Sequence, residues 1–176
     1  MKRSKAVALS LMSASAVLLQ ACEDPEVEAQ VFRDVRNCIQ TGDLTEQQCL
    51  DLHQQALAEH LREAPRYRSA QDCYAEFGAN QCQSYGTTSG GSVWLPLMMG
   101  FMAARALDSF SGRGNAAPLY RTRDNPNGLR TGNGYKVGAG YGTKTKMPEW
   151  ATKPTRARTG TVSRGGFGSR SSGWGG

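Results

Sequence analysis

Residues 92–107, SVWLPLMMGFMAARAL, form the most apolar run of the chain beyond its first 22 residues, and their secondary structure decides the fold. Pro96 suits the first turn of a helix, where its missing N–H has no partner to lose, and no charge appears before Arg105. This reading predicts an apolar helix over 92–110. Its uncharged part, Val93 to Ala104, is 12 residues long. That falls well short of the ~20 residues that span a bilayer. Three uses compete: packing on the preceding module, lying in a membrane interface, or meeting another copy. Gly100, Ala103 and Ala104 offer a small-residue face, so self-association through this helix is one expected mode.

Upstream, YGTTSGG (85–91) reads as a flexible linker over 84–91. The segment before it, 27–83, is the part of the chain able to form a core, and its periodicity is helical. Val27, Val31, Val35 and Ile39 fall along one face of a helix over Glu26–Ile39, and TGD (41–43) breaks it. Thr45 and Gln48 then form a capping box, and Leu50, Leu57, Leu61 and Ala64 make an apolar stripe ending before Pro65. Ser69 with Asp72 repeats the capping signal, and Gly78 is a stop after Phe77. The expected fold is mostly α: a small helical module, then the apolar helix.

The chain has five cysteines, an odd number that needs an explanation if the protein is exported. MKRSKAVALSLMSASAVLLQAC (1–22) has a cationic start and an uncharged, largely apolar stretch, which reads as a signal peptide over 1–21. Leu19-Gln20-Ala21-Cys22 resembles the bacterial lipobox, in which the cysteine is acylated and becomes the N-terminus. By that resemblance Cys22 carries palmitate and related acyl chains, and 22–26 is a lipidated start and short linker. Acyl chains contribute ~0.8 kcal/mol per buried methylene, so several anchor firmly. Glu23, where Asp would retain a lipoprotein at the inner membrane, favours the outer membrane facing the periplasm.

Four cysteines then remain, in an oxidising compartment where disulfides are the default. FRDVRNCIQTGDLTEQQC (32–49) echoes YRSAQDCYAEFGANQC (67–82): each opens aromatic-Arg and closes Gln-Cys. A repeated unit carrying its own bridge predicts Cys38–Cys49 and Cys73–Cys82, which staple the helical module.

Charge divides the chain. Residues 23–110 hold 6 Lys/Arg against 13 Asp/Glu, and residues 111–176 hold 12 against 2. The latter segment also holds 15 of the 21 glycines and few aliphatics. It is expected to bury too little apolar surface to offset its ordering entropy, and reads as a largely disordered Gly/Arg-rich tail. Anionic lipid, lipopolysaccharide or cell-wall polymer are the partners available to such a tail outside the cytoplasm. SRGGFGSR (163–170) is similar to segments that bind RNA by charge and stacking, but export argues against nucleic acid. Arg164, Phe167 and Arg170, with Arg105 at the end of the apolar run, are the candidate partner-binding residues.

Chemistry-bearing patterns are scarce. No C-x2-C pair supports a zinc site or a thioredoxin-like centre. His53 and His60 lie seven apart, about 10 Å along a helix, too far for joint chelation; they read as ring edges flanking the leucine stripe, and no metal is expected. No nucleophile elbow, carboxylate pair across a cleft or phosphate-binding loop is recognisable. The expectation is a protein without cofactor or catalytic residues.

APRYRSAQDCYAEFGANQCQ (64–83), GSVWLPLMMGFMAAR (91–105) and SRGGFG (163–168) resemble, in this order, the YgiB-like proteins of Gram-negative bacteria. The resemblance implies an envelope lipoprotein without assigned activity. The neighbouring genes of that family often encode an ATP-grasp ligase similar to glutathionylspermidine synthase. This implies a second reading, in which the tail or the Gly176 carboxylate is a ligase substrate.

Overall fold

The apolar run is two strands, not a helix: Ser92–Pro96 and Gly100–Ala104, which belong to different sheets. The computed structural model describes residues 24–88, 90–104, 115–155 and 161–162. In chain order the elements are β1 (Glu26–Phe32), α1 (Val35–Thr41), α2 (Glu46–Glu63), β2 (Arg66–Tyr67), α3 (Ala70–Phe77), β3 (Cys82–Gly86), β4 (Ser92–Pro96) and β5 (Gly100–Ala104). There follow β6 (Asn115–Thr122), β7 (Asn125–Thr131), β8 (Lys136–Val137), β9 (Lys144–Pro148), α4 (Glu149–Thr152) and β10 (Thr161–Val162). Ten strands against four helices, among the described residues, overturn the mostly-α expectation.

The larger sheet runs β8-β7-β6-β5-β1-β9, and every pair in it is antiparallel. It curls toward a barrel. Ala29 and Val31 of β1, Met102 and Ala104 of β5, Ala117 and Leu119 of β6, Leu129, Val137 and Met147 share one buried cluster. Residues from both edge strands, β8 and β9, thus meet in the same interior. The opposite face of β5 and β6 receives α2, with Phe101, Ala103 and Ala116 packing beside Leu52 and Ala56. All five residues of β5 are buried. A central strand covered on both faces has no polar face to show, so it reads as a continuous apolar run and mimics a buried helix.

Three more expectations fail for related reasons. The predicted first helix begins instead as β1, because Val27, Ala29 and Val31 also satisfy a period of two and line the barrel interior. Helix starts only after Asp34, whose carboxylate accepts from the Asn37 N–H at 2.7 Å. The expected disordered tail supplies β6–β9 and α4. Its strands need few large apolar residues, because Ala116 and Ala117 pack against residues that β1, β5 and α2 provide. The expected linker over 84–91 is the end of β3 and a tight turn, closed by Thr87 N–H to Gly91 carbonyl at 2.8 Å.

The smaller sheet runs β10-β2-β4-β3, with β10 parallel to β2 and the other pairs antiparallel. α3 covers one of its faces through the ring contacts of Phe77 with Tyr67 and of Tyr74 with Trp94. Two disulfides fix the connections: Cys38–Cys49 joins α1 to α2, and Cys73–Cys82 joins α3 to β3. These are the pairs that the internal echo predicts. The second closes a helix and a strand rather than two helices.

Candidate functional site

α2 is capped at Thr45, whose hydroxyl accepts from Gln48 N–H while the Gln48 side chain accepts from Thr45 N–H, as its sequence signals. Its orientation is the surprise. Cys49, Leu52, Ala56, His60 and Glu63 face inward, whereas Leu50, Leu57 and Leu61 are 37%, 39% and 42% exposed. The leucine stripe read as the core face is the outer face.

The inward polar groups join the two sheets. His60 is buried, and its Nδ1 lies 3.0 Å from the Tyr120 hydroxyl on β6. Burial lowers its pKa to about 4, so the imidazole is neutral near pH 7. One turn on, the Glu63 carboxylate accepts from Thr155 N–H at 2.7 Å and Thr155 hydroxyl at 2.8 Å. Arg62 donates to Glu63 at 3.0 Å and also contacts Glu59. Burial, then the Glu59 carboxylate, raises the Glu63 pKa. Tyr67 of β2 donates to Glu76 of α3 at 2.6 Å. Glu63, Glu76, Tyr120, Arg130 and Thr131 line a cavity of about 100 Å³ between these elements. Glu63, Glu76 and Tyr120 are thus each engaged by another part of the fold. The cluster clamps α2, the chain after α4 and the two sheets together.

The second candidate is an open groove of about 700 Å³ beside the smaller sheet. Its local origin is strand alternation. Trp94 meets Tyr74 of α3 with ring centroids 6.1 Å apart and pairs in register with Tyr67, so both lie on the face α3 covers. Arg66 and Arg68 flank Tyr67, and Val93 and Leu95 flank Trp94, so these four line the groove on the other face. Leu61 at the end of α2 and Thr87, Thr88 and Ser92 of the β3–β4 turn complete its walls. Arg66 donates to the Leu61 carbonyl at 2.9 Å, which places a cation on the C-terminal turn of α2.

Of the residues singled out from sequence, Cys38, Cys49, Cys73 and Cys82 are in disulfides. Cys22, Arg105, Arg164, Phe167, Arg170 and Gly176 lie outside the described residues. His53 and His60 do not converge: His53 meets Phe101 edge-on at 5.5 Å, and His60 meets Tyr120. Among the described residues no three His, Cys, Asp or Glu side chains group as a metal site, and no helix is long and apolar enough to cross a membrane. The groove arginines escaped the sequence reading, although Arg66-Tyr67-Arg68 alternates as a strand does.

The family described as "Protein of unknown function (DUF1190)" matches residues 26–175. The chain is similar to a UPF0441 protein of Serratia proteamaculans, at 33% identity over 94% of this chain and 82% of that protein. It is 32% identical to a UPF0441 protein of Erwinia tasmaniensis, over 91% of this chain and 78% of that one. A UPF0441 protein of Yersinia pseudotuberculosis is 31% identical, over 94% and 82%. No solved structure matches the chain. With a family match running from β1 to the last residue but one, and relatives aligned over most of their length, the chain belongs to the DUF1190 family, the UPF0441 or YgiB-like proteins, whose function is unknown.

Proposed function

We propose that this chain is a lipid-anchored protein of the bacterial envelope that works by binding rather than by catalysis. The observation that carries this reading is the pair of disulfides. Cys38 and Cys49 are fully buried, and each bridge joins residues close in sequence, at separations of 11 and 9. Such staples belong to oxidising compartments, and the signal-like 1–21 with its lipobox-like end supplies a route there. Acylated Cys22 is the tether, two residues before the described fold begins at Asp24. The tether places the protein at the outer membrane on its periplasmic side.

Two features support binding over chemistry. The buried carboxylates, histidine and tyrosine hold elements together, and the groove beside the smaller sheet is one of the open concave surfaces among the described residues. Intact mass measurement of protein extracted from its native membrane tests the proposal. The expected mass is that of residues 22–176 plus acyl groups, less four hydrogen atoms for two disulfides, and Cys22→Ser should shift the protein out of the membrane fraction. An unacylated, unprocessed chain carrying five free thiols would refute it.

A further inference from the structure

We infer that β3, the outer strand of the smaller sheet, pairs edge to edge with β3 of a second copy of this chain. The first observation is an open backbone edge. β3 ends the order β10-β2-β4-β3, so among the described residues it neighbours β4 alone. Leu97 N–H donates to the Gln81 carbonyl at 2.7 Å, and Thr87 N–H to the Gly91 carbonyl at 2.8 Å. Between them the register runs unbroken from Cys82↔Pro96 to Gly86↔Ser92, so Gln83 and Tyr85 are the positions of β3 bonded to β4. The N–H and C=O groups of Cys82, Ser84 and Gly86 therefore point away from β4, to the free side. Gln83, Ser84 and Gly86 are exposed.

The second observation is that this edge lacks the devices that keep sheet edges apart. In the larger sheet, edge strand β8 is two residues long and carries Lys136, and edge strand β9 carries Lys144 and Lys146. β10, at the far edge of the smaller sheet, also spans only two residues. β3 has five residues, with no charge, no proline and no bulge. The third observation is self-complementarity. About a twofold axis at Ser84, an antiparallel copy brings Ser84 opposite Ser84 and Cys82 opposite Gly86. Every outward N–H then faces a carbonyl, making about six hydrogen bonds. The side chains match as well. Cys82, tied to α3 by its disulfide, meets a glycine of the second copy, and Gln83 meets Tyr85 on the groove face. No two charges oppose each other across the axis. An edge about 17 Å long gives a weak, concentration-dependent dimer, below the ~1,200 Å² of a stable complex.

This pairing does not rest on the proposed tether, so the test uses the full chain carrying Cys22→Ser, in nonionic detergent with micelles in excess over protein. In sedimentation equilibrium the protein mass should rise from one chain toward two between about 10 µM and 1 mM. Ser84→Lys sets like charges face to face at the axis and should raise the dissociation constant about tenfold or more, with the urea midpoint unchanged. Leu57→Lys, on the exposed outer face of α2, adds the same charge and should leave the constant unchanged. Mild oxidation reads the register separately. Ser84→Cys places the two thiols on Cα atoms about 5.5 Å apart, within bridging reach, and should give a dimer linked through position 84. Gln83→Cys sets them about 7–8 Å apart on a diagonal and should stay largely unlinked. The crosslinks keep the test open if Ser84→Lys fails to fold. A mass that stays at one chain throughout the range overturns the pairing. So does a dimer that Ser84→Lys leaves intact, or that Leu57→Lys weakens equally. Equal crosslinking through position 83 overturns the register.

Discussion

Gly100→Ala separates the two readings of the apolar run by the sign of its effect. Were residues 92–107 a helix, alanine in place of glycine would stabilise it by ~1 kcal/mol. In the structure Gly100 opens β5 with φ +152°, and a Cβ there would stand 2.5 Å from the Phe32 carbonyl oxygen and 2.9 Å from Tyr141 Cε1. The carbonyl belongs to β1, which is hydrogen-bonded to β5 with Phe32 opposite Phe101, so it cannot turn aside. Tyr141 is held too, its hydroxyl donating to the Met99 carbonyl at 2.5 Å. Forcing a methyl into such a site costs about 1–3 kcal/mol in overpacking, and the strained φ adds a comparable amount. The total is roughly 2–6 kcal/mol of lost stability. With a urea slope of about 2 kcal/mol per molar, the unfolding midpoint should fall by roughly 1–3 M. Equilibrium urea unfolding followed by circular dichroism measures it. Truncating Tyr141 in the same chain should not restore the midpoint, because the Phe32 carbonyl remains. A midpoint that rises or stays level in Gly100→Ala refutes the two-strand reading and the β1–β5 register.

Three further outcomes follow from the buried residues. Cys38→Ala/Cys49→Ala opens a loop of sequence separation 11 and should cost about 3 kcal/mol in the chain-entropy model, visible as a lower urea midpoint that reductant lowers further only through Cys73–Cys82. His60 titrates near 4 when folded and near ~6.5 when unfolded, so the unfolded chain takes up the proton first. Stability should therefore fall as pH drops from ~6.5 to ~4, by about 3 kcal/mol in all, and His60→Gln should flatten that slope. The raised pKa of Glu63 acts in the opposite sense, adding stability as pH falls through it, so Glu63→Gln should steepen the decline. Glu63→Ala removes the carboxylate oxygen that accepts both Thr155 bonds and should lower stability by about 1–3 kcal/mol, with faster amide exchange at Thr155. Glu63→Gln keeps one carbonyl acceptor and should preserve most of that protection; unchanged exchange at Thr155 in the alanine variant would count against the clamp.

Local signals were legible in the sequence, and partner-dependent ones were not. The caps at Thr45 and Ser69 and the disulfide pairs each depend on residues close along the chain, and each stands where its residues place it. β5 was illegible because its apolar uniformity comes from neighbours on both faces, α2 on one side and the barrel interior on the other. β6–β9 were illegible because glycine and cation content suggested a solvated chain. Their core is partly borrowed: β7, β8 and β9 each bring a single buried apolar residue, Leu129, Val137 and Met147, to an interior that β1, β5 and β6 largely fill. Lys144 and Lys146 on edge strand β9 look like solvated tail in sequence, yet edge cations also guard a sheet against pairing with other chains. The groove required β2 and β4 to be neighbours, a contact that no local pattern reveals.

The orientation of α2 is a different kind of failure, because the sequence held the means to avoid it. A disulfide to α1 obliges Cys49 to face inward. Taking ~100° per residue from Cys49, positions 52, 56, 60 and 63 fall within about 60° of it, while Leu50 stands about 100° away, with Leu57 and Leu61 beside it. Buried Leu52, Ala56, His60 and Glu63 occupy that inward arc. A covalent constraint therefore outranks a hydrophobic stripe: three leucines gain a few kcal/mol at most by turning inward, whereas turning them would tear a bridge from its partner. Two leucine-bearing faces cannot both be core on one helix. The bridged face takes the interior, and Leu50, Leu57 and Leu61 stay on the outside.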